Sequence, residues 1–111
     1  MSTSPCYESS GNFGGADSLR LELTPACFYL LAYHHLDMAK FESDKGSDTL
    51  TLSFLQRTVR ITGKNLRRLA INIQKRNVEW VKPMPDKYGS LATDDVWVKT
   101  IEIEQKENSH A

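Results

Sequence analysis

Residues 49–82 read TLTLSFLQRTVRITGKNLRRLAINIQKRNVEWVK, and their apolar period changes twice. Leu50, Leu52 and Phe54 alternate with Thr49, Thr51 and Ser53; after a short reversal at 55–57, Val59 and Ile61 alternate with Thr58, Arg60 and Thr62. Successive side chains of a strand point to opposite faces, so the pattern predicts a β-hairpin with one apolar face. Gly63 is expected to end the second strand. Beyond it Leu66, Leu69, Ala70 and Ile73 have the spacing that places apolar side chains on one helical stripe, which predicts an amphipathic helix over residues 64–76, from Lys64 to Arg76. Asn77 tolerates the left-handed conformation that closes a helix. Val78 and Trp80 then resume a strand, which Pro83 and Pro85 terminate.

Outward from this unit the signals are weaker. Leu19, Leu21 and Leu23 alternate with Arg20 and Glu22 until Thr24-Pro25 interrupts them, as in a half-buried strand. Residues 26–42 admit two readings: a helix capped by Thr24 with Pro25 in its first position, or two strands, favoured by the density of Phe28, Tyr29 and Tyr33. Residues 42–48, ESDKGSD, read as a polar turn around Gly46. Residues 84–94 form a loop, and residues 96–104 a last strand with Trp97, Ile101 and Ile103 inward and Glu102 and Glu104 outward. The sum is an α+β domain of about seven strands and one helix. It is expected as an antiparallel sheet or a partly open small barrel, with the helix over one face or one open end. The domain is placed at residues 19–104. Residues 1–18, rich in Ser and Gly, are expected as a disordered tail, and residues 105–111 as a frayed end.

A chain of 111 residues with 40% hydrophobic and 25% charged side chains has room for one modest core, so a partner or a second copy would add much to its stability. The longest uninterrupted apolar run covers residues 26–33, far short of the ~20 residues a membrane-spanning helix needs. The first residues have neither a basic leader nor an apolar core of a signal peptide, which makes the cytoplasm the expected location. Two cysteines, Cys6 in a polar stretch and Cys27 in an apolar one, suggest no disulfide framework; both are expected reduced, and Cys27 buried and inert.

The 14 basic and 14 acidic residues cancel, so only their placement is informative. Between Asp48 and Glu79 there is no acid, while Arg57, Arg60, Lys64, Arg67, Arg68, Lys75 and Arg76 are all basic. Helix starts carry unpaired N–H groups and a partial positive charge, and normally attract Asp or Glu; this one carries Lys64, Arg67 and Arg68. An outside anion would resolve the conflict. Gly63 would let it approach the backbone, and Lys64, Arg67, Arg68, Lys75 and Arg76 would pair with it, joined by Arg60 and Arg57 if the fold is a barrel. The ordinary alternative is a solvated basic helix face whose long stems cover apolar surface. Ile71 lies about 140° around the helix from Leu66, and is expected exposed or in contact with another subunit.

Other chemistry is sparse. His35 and Asp37 would share a strand face, but a third metal ligand is missing, and a structural His34–His35 pair at a turn accounts for them. A Cys27 nucleophile lacks a partner base, Asp94-Asp95 sits in a loop, and no phosphate loop, dinucleotide fingerprint or nucleophile elbow is present. Tyr29, Tyr33, Trp80 and Trp97 could stack nucleic-acid bases if exposed, yet they fall at positions expected to face inward. No cofactor or metal is expected, nor an enzymatic activity.

The segments YLLAYHHL at residues 29–36 and VRITGKNLRRL at residues 59–69 resemble short bacterial proteins of unassigned function, over about residues 19–82. The resemblance implies a bacterial origin. The strand-strand-helix run is also similar to the closing part of pleckstrin-homology-like barrels, which commonly bind proteins or phospholipids, although here two strands follow the helix. The leading expectation is a non-catalytic interaction module that meets another protein, or a second copy as a homodimer, through a sheet edge or the helix face. The alternative partner is a polyanion, nucleic acid or anionic lipid, held by the basic residues.

Overall fold

The computed structural model describes residues 6–9, 15–85 and 96–105. The expected hairpin forms from β5 (Ser47–Phe54) and β6 (Arg57–Lys64), with Leu50 opposite Ile61 and Leu52 opposite Val59. These four side chains and Phe54 are buried, so alternation selects the core face as expected. β4 (Leu36–Asp44) pairs with β5 through a tight turn at Lys45-Gly46, both at positive φ. The polar turn therefore shrinks to two residues, the geometry that matches the twist of a hairpin. β8 (Trp97–Gln105) lies antiparallel to β6 and completes a sheet of order β4-β5-β6-β8, sheet B.

A second sheet, sheet A, has the order β1-β7-β2-β3. It contains β1 (Tyr7–Ser9), β2 (Ser18–Thr24), β3 (Cys27–Ala32) and β7 (Val78–Val81). Residues 26–42 are thus two strands, separated by one turn of 3-10 helix at Tyr33–His35. The one α-helix among the described residues, α1 (Leu66–Gln74), packs Leu66, Leu69 and Ile73 into the cluster formed by Leu19, Leu21, Leu50, Phe54, Val78 and Val81.

Four expectations are corrected. Among the described residues there are eight strands against about seven expected; they form two four-stranded sheets and no closed barrel, and β2 pairs with β7 in parallel where an antiparallel sheet was expected. β7 meets β2 only after the chain has run through sheet B and α1, so no tight turn joins the two and they are free of the antiparallel constraint of a hairpin. The added strand comes from the stretch expected as a disordered tail. Tyr7–Ser9 pairs with β7, Cys6 is buried and accepts the Val98 N–H at its sulfur, and the Lys82 N–H bonds to the Cys6 carbonyl. Backbone pairing holds what apolar content alone would not.

The helix is also shorter than expected. Lys64 belongs to β6, and Lys75 and Arg76 form the turn after α1. Arg76, at φ 58°, rather than Asn77, takes the left-handed closing position. Its carbonyl accepts the Ala16 N–H at 2.7 Å, and its guanidinium donates to the Ala16 carbonyl at 3.2 Å. Residues 15–17 thereby dock on the helix end, and a side chain on Gly15 would meet the Arg76 carbonyl. Finally, Gly63 lies within β6, buried, where a β-carbon would collide with the Trp97 backbone carbonyl. It is required for the close passage of β8, at the irregularity where the β6–β8 register shifts.

Tyr33 ties the 3-10 turn to sheet A by donating its hydroxyl to the Val78 carbonyl at 2.7 Å. Burial pushes its phenol far above its ordinary value, with the nearby Arg76 guanidinium opposing.

Two substitutions test these constraints. Gly63→Ala should destabilise by ~3 kcal/mol, read as a lower urea midpoint, because neither backbone can yield. Tyr33 stays protonated in the folded chain but titrates near pH ~10 when unfolded, so the stability it supplies is present below that pH and is lost as pH rises beyond it. Tyr33→Phe should cost ~1 kcal/mol at neutral pH. That deficit should shrink when urea midpoints are compared at a pH of about 11, where only the wild type loses this contribution.

Candidate functional site

The start of α1 breaks the preference for acid only in sequence. Asn65 turns the chain at φ 59° without a side-chain capping bond. Asp48, opposite Gly63 at the head of β5, receives the Leu66 N–H on its carboxylate at 3.0 Å. With 8% exposure, Asp48 is the one buried charged residue among those described. A carboxylate at a helix start satisfies an orphan donor and complements the helix dipole. The anion that the basic sequence seemed to lack is therefore supplied by the chain itself, from 18 residues upstream.

The eight residues expected around an anion do not converge. Gly63 is buried beneath β8 and offers no approach to a ligand. Arg60 lies on the outer face of sheet B, 3.8 Å from Glu102, while α1 packs on the inner face. Arg57, at the far end of β6, places its guanidinium 5.9 Å from the Tyr29 ring centre. Lys64 approaches the Trp97 ring, also at 5.9 Å. Arg76 is engaged with Ala16, lies 3.6 Å from Asp17 and sits over Tyr33. Only Arg67, Arg68 and Lys75 remain together, lining a shallow depression on the outer side of α1 with Asn65, Ile71 and Asn72. Ile71 is 43% exposed in the centre of that surface.

The more conspicuous surface is a sheet edge, a kind of surface expected beside the helix face but not assigned to a strand. β3, CFYLLA, is an outer strand of sheet A, and Phe28, Tyr29 and Leu30 are 55%, 36% and 61% exposed. Leu30 lies beside Arg20, and Phe28 beside Glu22, on the outer sheet face; Tyr29 lies beside Leu21 on the inner one. Arg20 places its guanidinium 5.8 Å from the Phe28 ring centre, and its Nε is 2.7 Å from Glu22 without hydrogen-bond alignment. Both faces of the strand thus present apolar groups.

Several side chains depart from their expected settings. Cys27 is an exposed free thiol, because its strand lies at the sheet edge, whereas Cys6 is the buried one. Trp80 is only half-buried on the outer face and donates to Glu8 at 3.0 Å, and Tyr29, although on the inner face, is exposed; Tyr33 and Trp97 are buried. His34 and His35 are exposed in the 3-10 turn with their rings edge to face. No group of three His, Cys, Asp or Glu among the described residues could hold a metal ion, and no described helix is long and apolar enough to cross a membrane. Asp94 and Asp95 lie outside the described residues.

No family model, curated protein or solved structure matches the chain.

The role of Asp48 has a direct test. Asp48→Ala strands the Leu66 N–H in the core and should cost ~2 kcal/mol. Asp48→Asn retains an acceptor and forfeits only the charge–dipole attraction, ~0.5–1 kcal/mol. Thermal melts of both variants at neutral pH should rank them in that order.

Proposed function

We propose that this chain is a non-catalytic protein-interaction module whose working surface is the open edge of β3. One contrast supports the reading. A sheet edge exposes unpaired N–H and C=O groups, and proteins protect such edges by keeping them short or charged. Of the four outer strands, β1 has three residues, β4 carries Asp37, Lys40, Glu42 and Asp44, and β8 carries Lys99, Glu102 and Glu104. β3 has six residues, no charge and no proline. An extended segment of a partner can continue the sheet there, with backbone bonds supplying affinity and Phe28 and Leu30 selecting apolar side chains. A cytoplasmic, reducing setting accords with the exposed thiol of Cys27.

A second reading rests on the contiguity of Arg67, Arg68 and Lys75, which would suit phosphates of nucleic acid or anionic lipid. Three cations on one helix face make a small site, and the helix start beside them already has its acid in Asp48.

Selection of random peptides displayed on phage against the immobilised protein separates the two. Extended, alternately apolar peptides should be enriched, and Leu30→Lys should weaken their binding at least tenfold while Arg67→Glu/Arg68→Glu should leave it unaffected. Peptides indifferent to Leu30→Lys would rule out the β3 surface. Salt-sensitive binding of DNA, RNA or anionic vesicles, abolished by the double Glu variant, would favour the polyanion.

A further inference from the structure

Resting on that reading of β3, we infer that the partner is a second copy of this chain, joined by antiparallel β3–β3 pairing about a two-fold axis through Tyr29 and normal to sheet A. Symmetry restricts the choices. Residues directly opposed in an antiparallel ladder project to the same face, and a two-fold normal to the sheet keeps each face on its own side. An outer-face residue such as Leu30 can therefore oppose only another outer-face residue. The axis must pass through a residue, and within the strand Tyr29 and Leu30 are the central candidates.

Composition and charge choose between them. The exposed trio Phe28, Tyr29 and Leu30 is centred on Tyr29. With the axis there, Phe28 opposes the partner's Leu30, Leu30 opposes the partner's Phe28, and Tyr29 meets the partner's Tyr29 on the inner face. Because Arg20 flanks Leu30 and Glu22 flanks Phe28, each row across the junction begins with one sign of charge and ends with the other. It reads Arg20, Leu30, the partner's Phe28 and the partner's Glu22. With the axis at Leu30, the central row would instead end in Arg20 and the partner's Arg20. Phe28 would then oppose only the partner's Ala32. The Tyr29-centred register brings Phe28, Tyr29 and Leu30 of both copies together and opposes no like charges on the outer face; on the inner face each Arg57 lies 5.9 Å from its own Tyr29 ring centre.

The surface available sets the strength. The trio exposes on the order of 300 Å² per chain, so even with the strand backbones the interface falls at the small end, below ~1,200 Å² in total. The dimer should therefore form and dissociate with concentration. It makes one continuous eight-stranded sheet from two copies of sheet A, and leaves the helix face of Arg67, Arg68 and Ile71 outside the junction.

Sedimentation of the full chain from about 1 to several hundred micromolar should show a rise from monomer to dimer. Leu30→Lys and Phe28→Lys, both at exposed positions, should each raise the dissociation constant at least tenfold with an unchanged circular dichroism spectrum. In a Cys27→Ser background, mild oxidation should cross-link Tyr29→Cys as a dimer far faster than Leu30→Cys. Preferential cross-linking of Leu30→Cys would overturn the register, and a dimer indifferent to both Lys variants would overturn the interface. A monomer throughout the range would overturn self-association. If library peptides still bound β3 in that case, the interaction surface would stand with a different partner; if they did not, both readings would fall together.

Discussion

The hydrogen bond from the Leu66 N–H to the buried Asp48 carboxylate joins the first residue of α1 to the head of β5. It holds the helix against the inner face of sheet B and sets where β6 gives way to α1. From that point α1 carries the chain over to β7, which pairs with both β1 and β2 and so joins β1 to the β2–β3 hairpin in sheet A. The same bond reconciles a strongly basic helix start with helix electrostatics, since one buried acid at close range outweighs solvated cations that are screened within about a Debye length of ~10 Å. At the other end the carbonyls of Ile71, Asn72 and Ile73 accept from the local N–H groups of Lys75, Asn77 and Arg76, and the reciprocal Ala16–Arg76 bonds dock a distant part of the chain just beyond the helix.

With α1 and sheet B supplying most of the core, sheet A has to provide only a narrow apolar strip: Leu19, Leu21, Val78 and Val81. These lie on its two central strands. β1 and β3 flank them, and β1 is tied down by Cys6, which contributes both a buried thiol and a backbone pairing to Lys82. β3 reaches past the strip, and Phe28 and Leu30 find no covering layer. Phe28 and Leu30 are exposed because no layer covers the outer face of sheet A, while on the inner face only Leu31 of β3 packs against the core; β3 thus gives a small domain its one open, uncharged edge among the described residues. Surface ion pairs such as Arg60–Glu102 and Lys40–Glu42 lie on well-solvated faces and contribute little to stability, which leaves burial and backbone pairing to set the architecture.

The hairpin and the inward faces of Leu50, Leu52, Phe54, Val59 and Ile61 could be read directly, as could the stripe of Leu66, Leu69 and Ile73. Their neighbours in sequence are their neighbours on the same element, so periodicity carries the information. β1 escaped notice because Tyr-Glu-Ser has no apolar period, and its order comes from pairing with a strand some 70 residues away. Gly63 resembled a strand end or a ligand loop; only the passage of β8 over it reveals a packing requirement. Of the candidate site, the exposure of Ile71 was accessible from helical geometry, but the dispersal of Arg57, Arg60, Lys64 and Arg76 was not. Adjacent positions on a strand face opposite ways, and each cation took the aromatic ring or acid nearest to it in space.

The sequence by itself determined the α+β class, the hairpin, the helix and their core faces, because those depend on local period and on side chains within a turn or two. Tertiary structure decided which acid serves the helix start, which strand is left at an edge, and how the basic residues are divided. Each of those outcomes depends on elements far apart along the chain and on the order of strands within a sheet. CFYLLA would read the same in the middle of a sheet as at its margin, and only its place at the end of the strand order makes it an edge.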